Sequence, residues 1–137
     1  MAEYKKPLPM TTWEEAKEYW EGCKNHELRI QKCKDCGSYR WYPRLMCHHC
    51  NSMNVEWVKV SGKGIVYSWT VVVHPTGAVW AEEVPYTVVI VELDEGVRMV
   101  SNMVDCKPEE LWVGMPVEVV FDDVTDQVTL PKFRPAT

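Results

Sequence analysis

The stretch CKDCGSYRWYPRLMCHHC, residues 33–50, holds four of the six cysteines in this chain of 137 residues. They form two Cys-x-x-Cys pairs, Cys33 with Cys36 and Cys47 with Cys50. Each Cys-x-x-Cys turn brings two sulfurs to one ion, and two such turns complete the four thiolates of a tetrahedral zinc site. The spacing therefore predicts a structural metal site, since a closed set of four ligands leaves no position for a reactive water.

The residue after each pair supports this interpretation. Gly37 and Asn51 belong to the residue types that most readily adopt a left-handed backbone, which a tight turn around a thiolate uses. Iron in a rubredoxin-like site takes the same four thiolates, so the spacing alone leaves zinc and iron open. His48 and His49 lie between the second pair of cysteines, and we expect them to be exposed because the ligand set is already complete.

The charged N-terminal residues and the lack of a long apolar run indicate a reducing compartment. Residues 1–20 contain charged groups and no apolar segment of the kind a signal peptide has. No apolar run approaches the roughly 20 residues that cross a membrane. We therefore expect a cytoplasmic protein without a membrane segment, in which disulfides are rare. Cys23 and Cys106 stand alone in the sequence, and we expect both to be buried as small hydrophobic side chains.

The net charge of −5 is unevenly distributed along the chain. Residues 1–50 hold nine Lys or Arg and seven Asp or Glu, whereas residues 51–137 hold six and thirteen. An acidic second half disfavours general binding to nucleic acid. The excess of basic residues clusters on and just before the cysteine segment, residues 33–50, where it could hold a few phosphates: Arg29, Lys32, Lys34, Arg40 and Arg44.

A helix is predicted before the cysteine segment. Thr12 and Glu15 have the spacing of a capping box. Trp13, Ala16, Trp20 and Cys23 recur at helical spacing and give the helix an apolar, aromatic stripe. Two interpretations of this stripe stay open: packing on the chain's own core, or a surface for a partner or ligand.

After the cysteine segment the apolar pattern changes to period two, which predicts strands. One face of the second predicted strand carries Ile65, Tyr67, Trp69, Val71 and Val73. A hairpin is predicted around Gly96. Some five or six strands without a strong helix among them favour a small barrel or sandwich. The predicted strands are residues 55–60, 65–73, 86–93, 97–104, 115–121 and 128–133.

The longest break between these strands, residues 74–85, contains His74 and Trp80. A catalytic His74 would need a nucleophile or substrate within reach, and the sequence indicates neither. Trp80 is the better candidate for a ligand or partner contact. No hydrolase elbow, zinc-protease motif or phosphate loop is present in the sequence.

Several stretches together resemble a family of small acyl-CoA-associated proteins, long known only as a domain of unknown function. These are the helix with its two Cys-x-x-Cys pairs, then SGKGIVYSWT at residues 61–70, GMPV at 114–117 and FRP at 133–135. The family pairs a rubredoxin-like zinc ribbon with an OB-fold. The resemblance thus implies a mainly β protein with an N-terminal helical segment (1–27), a zinc ribbon (28–54) and a five-stranded OB-fold barrel (55–137).

The resemblance also implies a function. Family members are accessory subunits of thiolase-like enzymes. The assemblies that contain them include archaeal thiolase complexes, steroid side-chain aldolases and hydratases, and benzoylsuccinyl-CoA thiolase. It implies a hetero-oligomer with a thiolase-like protein that carries the catalytic residues, and zinc on Cys33, Cys36, Cys47 and Cys50. The five basic residues named above are expected to meet the phosphates of coenzyme A or an acyl-CoA, and the aromatic side chains to pack on a partner or an aromatic acyl group.

Two other functions remain as alternatives. Zinc ribbons and OB-folds both bind nucleic acids, with aromatic side chains stacking on bases, although the acidic second half argues against this. The chain could also be an enzyme in its own right that uses His74 or a carboxylate on an acyl-CoA. The sequence contains no recognisable constellation for that chemistry.

Overall fold

The computed structural model describes residues 4–136. Within this range the chain forms one α-helix, eight strands and three short 3-10 turns. All six predicted strands are present, with ends shifted by at most two residues. The elements are α1 (Lys17–Lys24), β1 (Arg29–Cys33), β2 (Tyr39–Arg40), β3 (Val55–Lys59), β4 (Lys63–Val72), β5 (Tyr86–Leu93), β6 (Arg98–Met103), β7 (Pro116–Asp123) and β8 (Thr129–Pro135), with 3-10 turns at Glu14–Ala16, Ala78–Trp80 and Pro108–Glu110.

The helix begins differently from the prediction. A 3-10 turn follows Trp13 and leads directly into α1, and neither start has a side-chain cap hydrogen bond. The predicted capping box of Thr12 and Glu15 is therefore wrong, because Trp13 and not Thr12 precedes the first helical turn. None of the helices within residues 4–136 is long and apolar enough to cross a membrane.

The first sheet has three antiparallel strands in the order β2-β1-β3. Gln31 of β1 lies opposite Arg40 of β2, and Cys33 of β1 lies opposite Val55 of β3. The strand β3, with which the predicted barrel segment begins, thus pairs with the cysteine segment. The division of the chain at residues 54 and 55 stays a prediction.

The second sheet is a closed barrel in the order β4-β5-β6-β8-β7, and β7 returns to pair with β4. All neighbouring pairs are antiparallel except β6 and β8, which run parallel where Met103 meets Phe133. Five strands in this order form an OB-fold. The predicted fold class, a mainly β protein with an N-terminal helix, a zinc ribbon and a five-stranded OB-fold barrel, is confirmed.

A β-bulge in β4 changes which side chains face the core. The register shifts between Val66 and Ser68, so an extra residue separates the two halves of the strand. Ile65 and Tyr67 consequently point outward and are about 40% exposed, while Trp69 packs against the core. The predicted single apolar face of this strand is therefore wrong, because the bulge reverses the alternation.

One hydrophobic core runs through the helix, the three-stranded sheet and the barrel. Four aromatic side chains join α1 to the segment after β2. Trp20 Nε1 donates to Tyr42 Oη at 2.7 Å, and Trp41 Nε1 donates to Tyr19 Oη at 3.1 Å. The Tyr19 ring also meets Trp20 and Tyr42 edge-on, a favourable aromatic geometry. Ala16, Trp20 and Cys23 of the stripe thus face the chain's own core, whereas Trp13 is exposed.

Candidate metal centre

The four predicted ligands meet at the tip of the three-stranded sheet. Their sulfur atoms all lie within 4.8 Å of one another, with Cys33 and Cys50 3.5 Å apart and Cys36 and Cys47 3.6 Å apart. Thiolates bound at about 2.3 Å in a tetrahedron around zinc are separated by about 3.8 Å, and a disulfide bond is only about 2.05 Å long. The arrangement therefore fits a tetrahedral metal ion held by four reduced cysteines.

The two cysteine loops have the same backbone geometry. The amide of Gly37 donates to the carbonyl of Cys33 at 2.9 Å, and that of Asn51 donates to the carbonyl of Cys47 at 3.0 Å. Gly37 has φ +76° and Asn51 has φ 63°, both in the left-handed region. The predicted role of these two residues is confirmed. Each loop thereby turns its backbone amides toward its own thiols.

Both pairs are followed, after Gly37 or Asn51, by a serine that sequence analysis missed. The carbonyl of Ser38 accepts from the amide of Cys33 at 2.9 Å, and the carbonyl of Ser52 accepts from the amide of Cys47 at 2.8 Å. The repeated pattern Cys-x-x-Cys-Gly/Asn-Ser was a signal for these residues. Ser38 Oγ also lies 3.3 Å from Cys36 Sγ, within hydrogen-bond reach of a thiolate.

Asp35 ties the two loops together. Its carboxylate accepts hydrogen bonds from Ser52 Oγ and from Asn54 Nδ2, the latter at 3.1 Å. These two hydrogen bonds, with that of Ser52 the larger cause, lower the pKa of Asp35. The carboxylate is thus held in its charged form and fixes the first cysteine loop to the second.

The surroundings of the thiols favour metal binding. The hydrogen bond with Ser38 lowers the pKa of Cys36 to about 7, and backbone amides lower the pKa values of Cys33 and Cys47. The Ser52 amide also lowers the pKa of Cys50. Desolvation and the neighbouring cysteines outweigh this hydrogen bond, so the pKa of Cys50 is raised to about 12. The thiolates favoured by these hydrogen bonds are the form that binds a cation, and metal binding releases the protons that remain on the cluster.

The predicted basic cluster is not one surface. Arg29 is 3.0 Å from both Glu18 and Glu27 in ion pairs, and Lys32 lies over the ring of Tyr39. Lys34 is exposed on the first cysteine loop. Arg40 and Arg44 come together at a different place, a cavity between the cysteine segment and the barrel. Arg40 is buried there, which the sequence pattern did not reveal.

The other singled-out residues lie outside this centre. His48 and His49 are exposed, as predicted, and His74 is exposed on its loop. Within residues 4–136, His74 makes no hydrogen bond with another side chain. Trp80 is half-buried, with Lys6 Nζ 5.3 Å from its ring centroid and the ring of Tyr86 beside it.

The two lone cysteines differ in exposure. Cys23 is fully buried, as predicted, and desolvation raises its pKa to about 12. Cys106 is only half-buried, so its predicted burial is wrong. It lies just after β6, where its thiol donates a weak hydrogen bond to the carbonyl of the adjacent Lys107 at 3.5 Å. Neither thiol has an environment that favours a reactive thiolate, because the pKa of Cys106 is also raised by desolvation and nearby glutamates.

The fold and the four-cysteine centre together define a protein that joins a zinc ribbon to an OB-fold. Residues 20–56 match the rubredoxin-like zinc ribbon domain of ChsH2, and residues 57–122 match its C-terminal OB-fold domain. The chain belongs to the DUF35 family, the ChsH2-type zinc-ribbon/OB-fold proteins.

Relatives of the chain have several names. It is 41% identical over 118 residues to a probable enoyl-CoA hydratase alpha subunit of Thermomonospora curvata, covering 86% of this chain and 36% of that protein. It is 38% identical over 103 residues to a DUF35 domain-containing scaffold protein of Methanothermobacter thermautotrophicus, covering 74% of this chain and 77% of that one. The chain therefore spans about a third of the hydratase subunit but most of the scaffold protein.

A solved structure is similar over nearly the whole length. It is described as an Ltp2-ChsH2(DUF35) aldolase, and the matching chain has a TM-score of 0.83 and 38% identity. The match covers 95% of the present chain and 100% of that chain.

Proposed function

We propose that this chain is a non-catalytic accessory subunit of an enzyme complex that acts on acyl-CoA thioesters, with a thiolase-like protein as its direct partner. The observation that carries the proposal is the end-to-end similarity to the DUF35 chain of an Ltp2-ChsH2 aldolase. The relatives called scaffold protein and hydratase alpha subunit are consistent with a role inside a hetero-oligomer.

The chemistry of the described residues supports a non-catalytic role. Cys33, Cys36, Cys47 and Cys50 form a closed ligand set, which stabilises a fold and leaves no open position for substrate or water. A histidine base would need a positioned nucleophile or substrate. The exposed His74 forms no hydrogen-bonded pair with a nucleophilic side chain in the described part of the chain. The reacting groups are therefore assigned to the partner.

The metal in this proposal is zinc. Four thiolates and a ribbon of this geometry suit zinc, which keeps one oxidation state and accepts a tetrahedron without strain. Its role is to hold the two cysteine loops together, because the short strand β2 and the long loop after it have little other regular structure. Metal analysis of the purified chain tests this: we expect one zinc and a colourless protein, whereas a red protein containing iron would contradict it.

The surface of the chain supports a subunit role. Large apolar side chains are exposed on the segment before the helix, on and just after the cysteine segment, and on the loop before β7. Aromatic residues and Met are enriched in subunit interfaces. These side chains are those of Trp13, Leu45, Met46, Met53, Trp112 and Val113. The proposal places the chain in the cytoplasm, where thiols stay reduced and able to bind metal.

The experiment is affinity purification of the tagged chain from its native cells, followed by mass spectrometry. We expect a thiolase-like protein in near-equal amount, and its pathway would then indicate the acyl group, such as an aromatic one of the benzoylsuccinyl-CoA type. Recovery of the chain alone, or with nucleic acid that dissociates at high salt, would contradict the accessory-subunit role. The second result would favour a nucleic-acid-binding module.

A further inference from the structure

A cavity of about 360 Å³ lies between the cysteine segment and the β5–β6 hairpin of the barrel. Basic side chains enter it from both sides: Arg40 and Arg44 from the cysteine segment, and Arg98 from the start of β6. Trp41 and His48 also contribute to its wall. Arg98 was absent from the predicted basic cluster, because it is more than 50 residues away in sequence and reaches this place only through barrel closure.

Arg40 is the unusual member of this group. Its side chain is buried, with only 2% of its surface exposed. Nε donates to Gln31 Oε1 at 2.8 Å, and Nη2 donates to the carbonyl of Arg44 at 3.0 Å. Nη1 is buried and has no hydrogen-bond partner within residues 4–136. Both acceptors are neutral, and in the described part of the chain no carboxylate lies within ion-pair distance of this guanidinium.

A buried cation without a counter-ion is strongly unfavourable. Arg98 does have a counter-ion, because its Nε donates to Glu92 at 3.0 Å, and its guanidinium stacks on the ring of Tyr67. Arg44 forms no ion pair with any residue that the structure describes. The cavity thus holds three guanidinium groups and only one paired carboxylate, so it carries an excess of positive charge that an anion would balance.

The position of Arg44 is fixed by the same network. The amide of Arg44 donates to Gln31 Oε1 at 2.8 Å, so one buried glutamine oxygen holds both the Arg40 side chain and the Arg44 backbone. Gln31 lies on β1, two residues before the metal ligand Cys33. The Arg40 side chain and the Arg44 backbone are therefore held in place before any ligand arrives, which reduces the entropic cost of binding.

We propose that this cavity binds a phosphate group, with Arg40 as the buried donor and Arg44 and Arg98 at its sides. The guanidinium fork matches phosphate oxygens in charge and geometry. The assignment of the phosphate to coenzyme A rests on the proposed function; the positive cavity itself does not. Within that function the site would hold the 3′-phosphate of the nucleotide end and leave the thioester to the partner.

The test is an NMR titration of the full, zinc-loaded chain with coenzyme A, dephospho-coenzyme A, pantetheine and inorganic phosphate. We expect coenzyme A and inorganic phosphate to shift the amide signals of residues 40–42, 44 and 96–98 and the indole signal of Trp41. Pantetheine, which has no phosphoester, should shift none of them. Coenzyme A should bind more tightly than dephospho-coenzyme A, which lacks the 3′-phosphate.

Two matched variants and a third, conservative one distinguish this site from general charge attraction. Arg44→Ala should weaken coenzyme A binding by about tenfold, the effect of losing one charge-assisted hydrogen bond. Lys24→Ala removes an equal charge from an exposed position on α1, outside the cavity and the metal centre, and should leave the affinity within about twofold. Arg40→Lys keeps the charge but loses the fork, and its zinc content verifies that the ribbon is still folded.

The outcomes separate the two proposals. Absence of shifts with every phosphate probe, or equal weakening by Arg44→Ala and Lys24→Ala, overturns the cavity site even if a thiolase-like partner co-purifies with the chain. Equal affinity for coenzyme A and dephospho-coenzyme A supports a phosphate site and overturns the 3′-phosphate assignment. Phosphate binding in the titration, together with an affinity purification that recovers no thiolase-like protein, supports the cavity and contradicts the proposed function.

Discussion

Replacement of Ser38 by alanine should weaken metal binding without removing a ligand. Ser38 Oγ is 3.3 Å from Cys36 Sγ, and its hydrogen bond is the largest cause that lowers the pKa of Cys36 from 9.0 to about 7. That difference corresponds to about a hundredfold increase in the acid dissociation constant. The backbone amide of Ser38 also contributes and remains in the variant. We therefore expect a loss of metal affinity of roughly tenfold, at the lower end of what such supporting residues contribute.

The expected change in the pH of metal release follows from the same hydrogen bond. A lowered pKa means that Cys36 is a thiolate over more of the neutral range, and Ser38→Ala raises the pKa back toward 9.0. Protons then compete with the metal at higher pH, so the midpoint of acid-induced metal release should move upward. Below that midpoint both proteins lose the metal.

The assay is competition with a chromophoric chelator at several pH values. The matched control is Ser61→Ala, since Ser61 Oγ accepts from the amide of Lys63 at 3.1 Å in an exposed turn outside the metal centre. The control should bind metal like the unmodified chain. Equal affinity and an equal release midpoint for Ser38→Ala and Ser61→Ala would refute the inference that this hydroxyl stabilises the thiolate.

Three further predictions concern stability in urea unfolding. Gly64→Ala would drive its Cβ into the backbone carbonyl of Glu92 and should lower the free energy of unfolding by about 1–3 kcal/mol. Gly77→Ala meets nothing closer than 3.8 Å and should change it by no more than about 0.5 kcal/mol. Phe133→Ala removes a fully buried ring and should cost about 3–5 kcal/mol; a loss below 1 kcal/mol would contradict its place in the core. Tyr19→Phe deletes one hydrogen bond at 3.1 Å and should cost about 0.5–1.5 kcal/mol, and no change would mean that this bond contributes nothing.

The features that could be predicted from the sequence are those that depend on neighbouring residues. The left-handed turns at Gly37 and Asn51 follow from two short motifs, and the hairpin turn at Gly96, with φ +94°, follows from another. The metal ligands belong to the same class, because each Cys-x-x-Cys pair is defined within four residues. The strands were found because period-two alternation is also a local pattern.

The features that could not be predicted depend on residues far apart in sequence. The strands β1 and β3 pair although both cysteine loops lie between them in the sequence. The bulge after Val66 depends on the register against β5, and a shift of one residue reverses the facing of every later side chain. The burial of Arg40 depends on Gln31 and on the barrel beside it. A basic residue in a basic stretch is otherwise read as exposed, since arginine is almost never fully buried.

The metal centre and the cavity proposed to bind phosphate are linked through β1. A metal held by the four cysteines would order the cysteine segment, and Gln31, close to it on β1, holds the Arg40 side chain and the Arg44 backbone at the cavity. A chain that loses its metal is therefore expected to lose phosphate binding as well. Loss of metal on chelation with unchanged coenzyme A affinity would contradict this coupling.

The most direct measurement of the accessory-subunit role is acyl-CoA turnover by three samples: the zinc-loaded chain alone, its co-purified partner alone, and an equimolar mixture. We predict no thioester turnover by the chain alone and full activity only in the mixture, because the four-cysteine centre leaves no open position and the proposed function assigns the reacting groups to the partner. Turnover by the chain alone at the rate of the mixture would contradict the account.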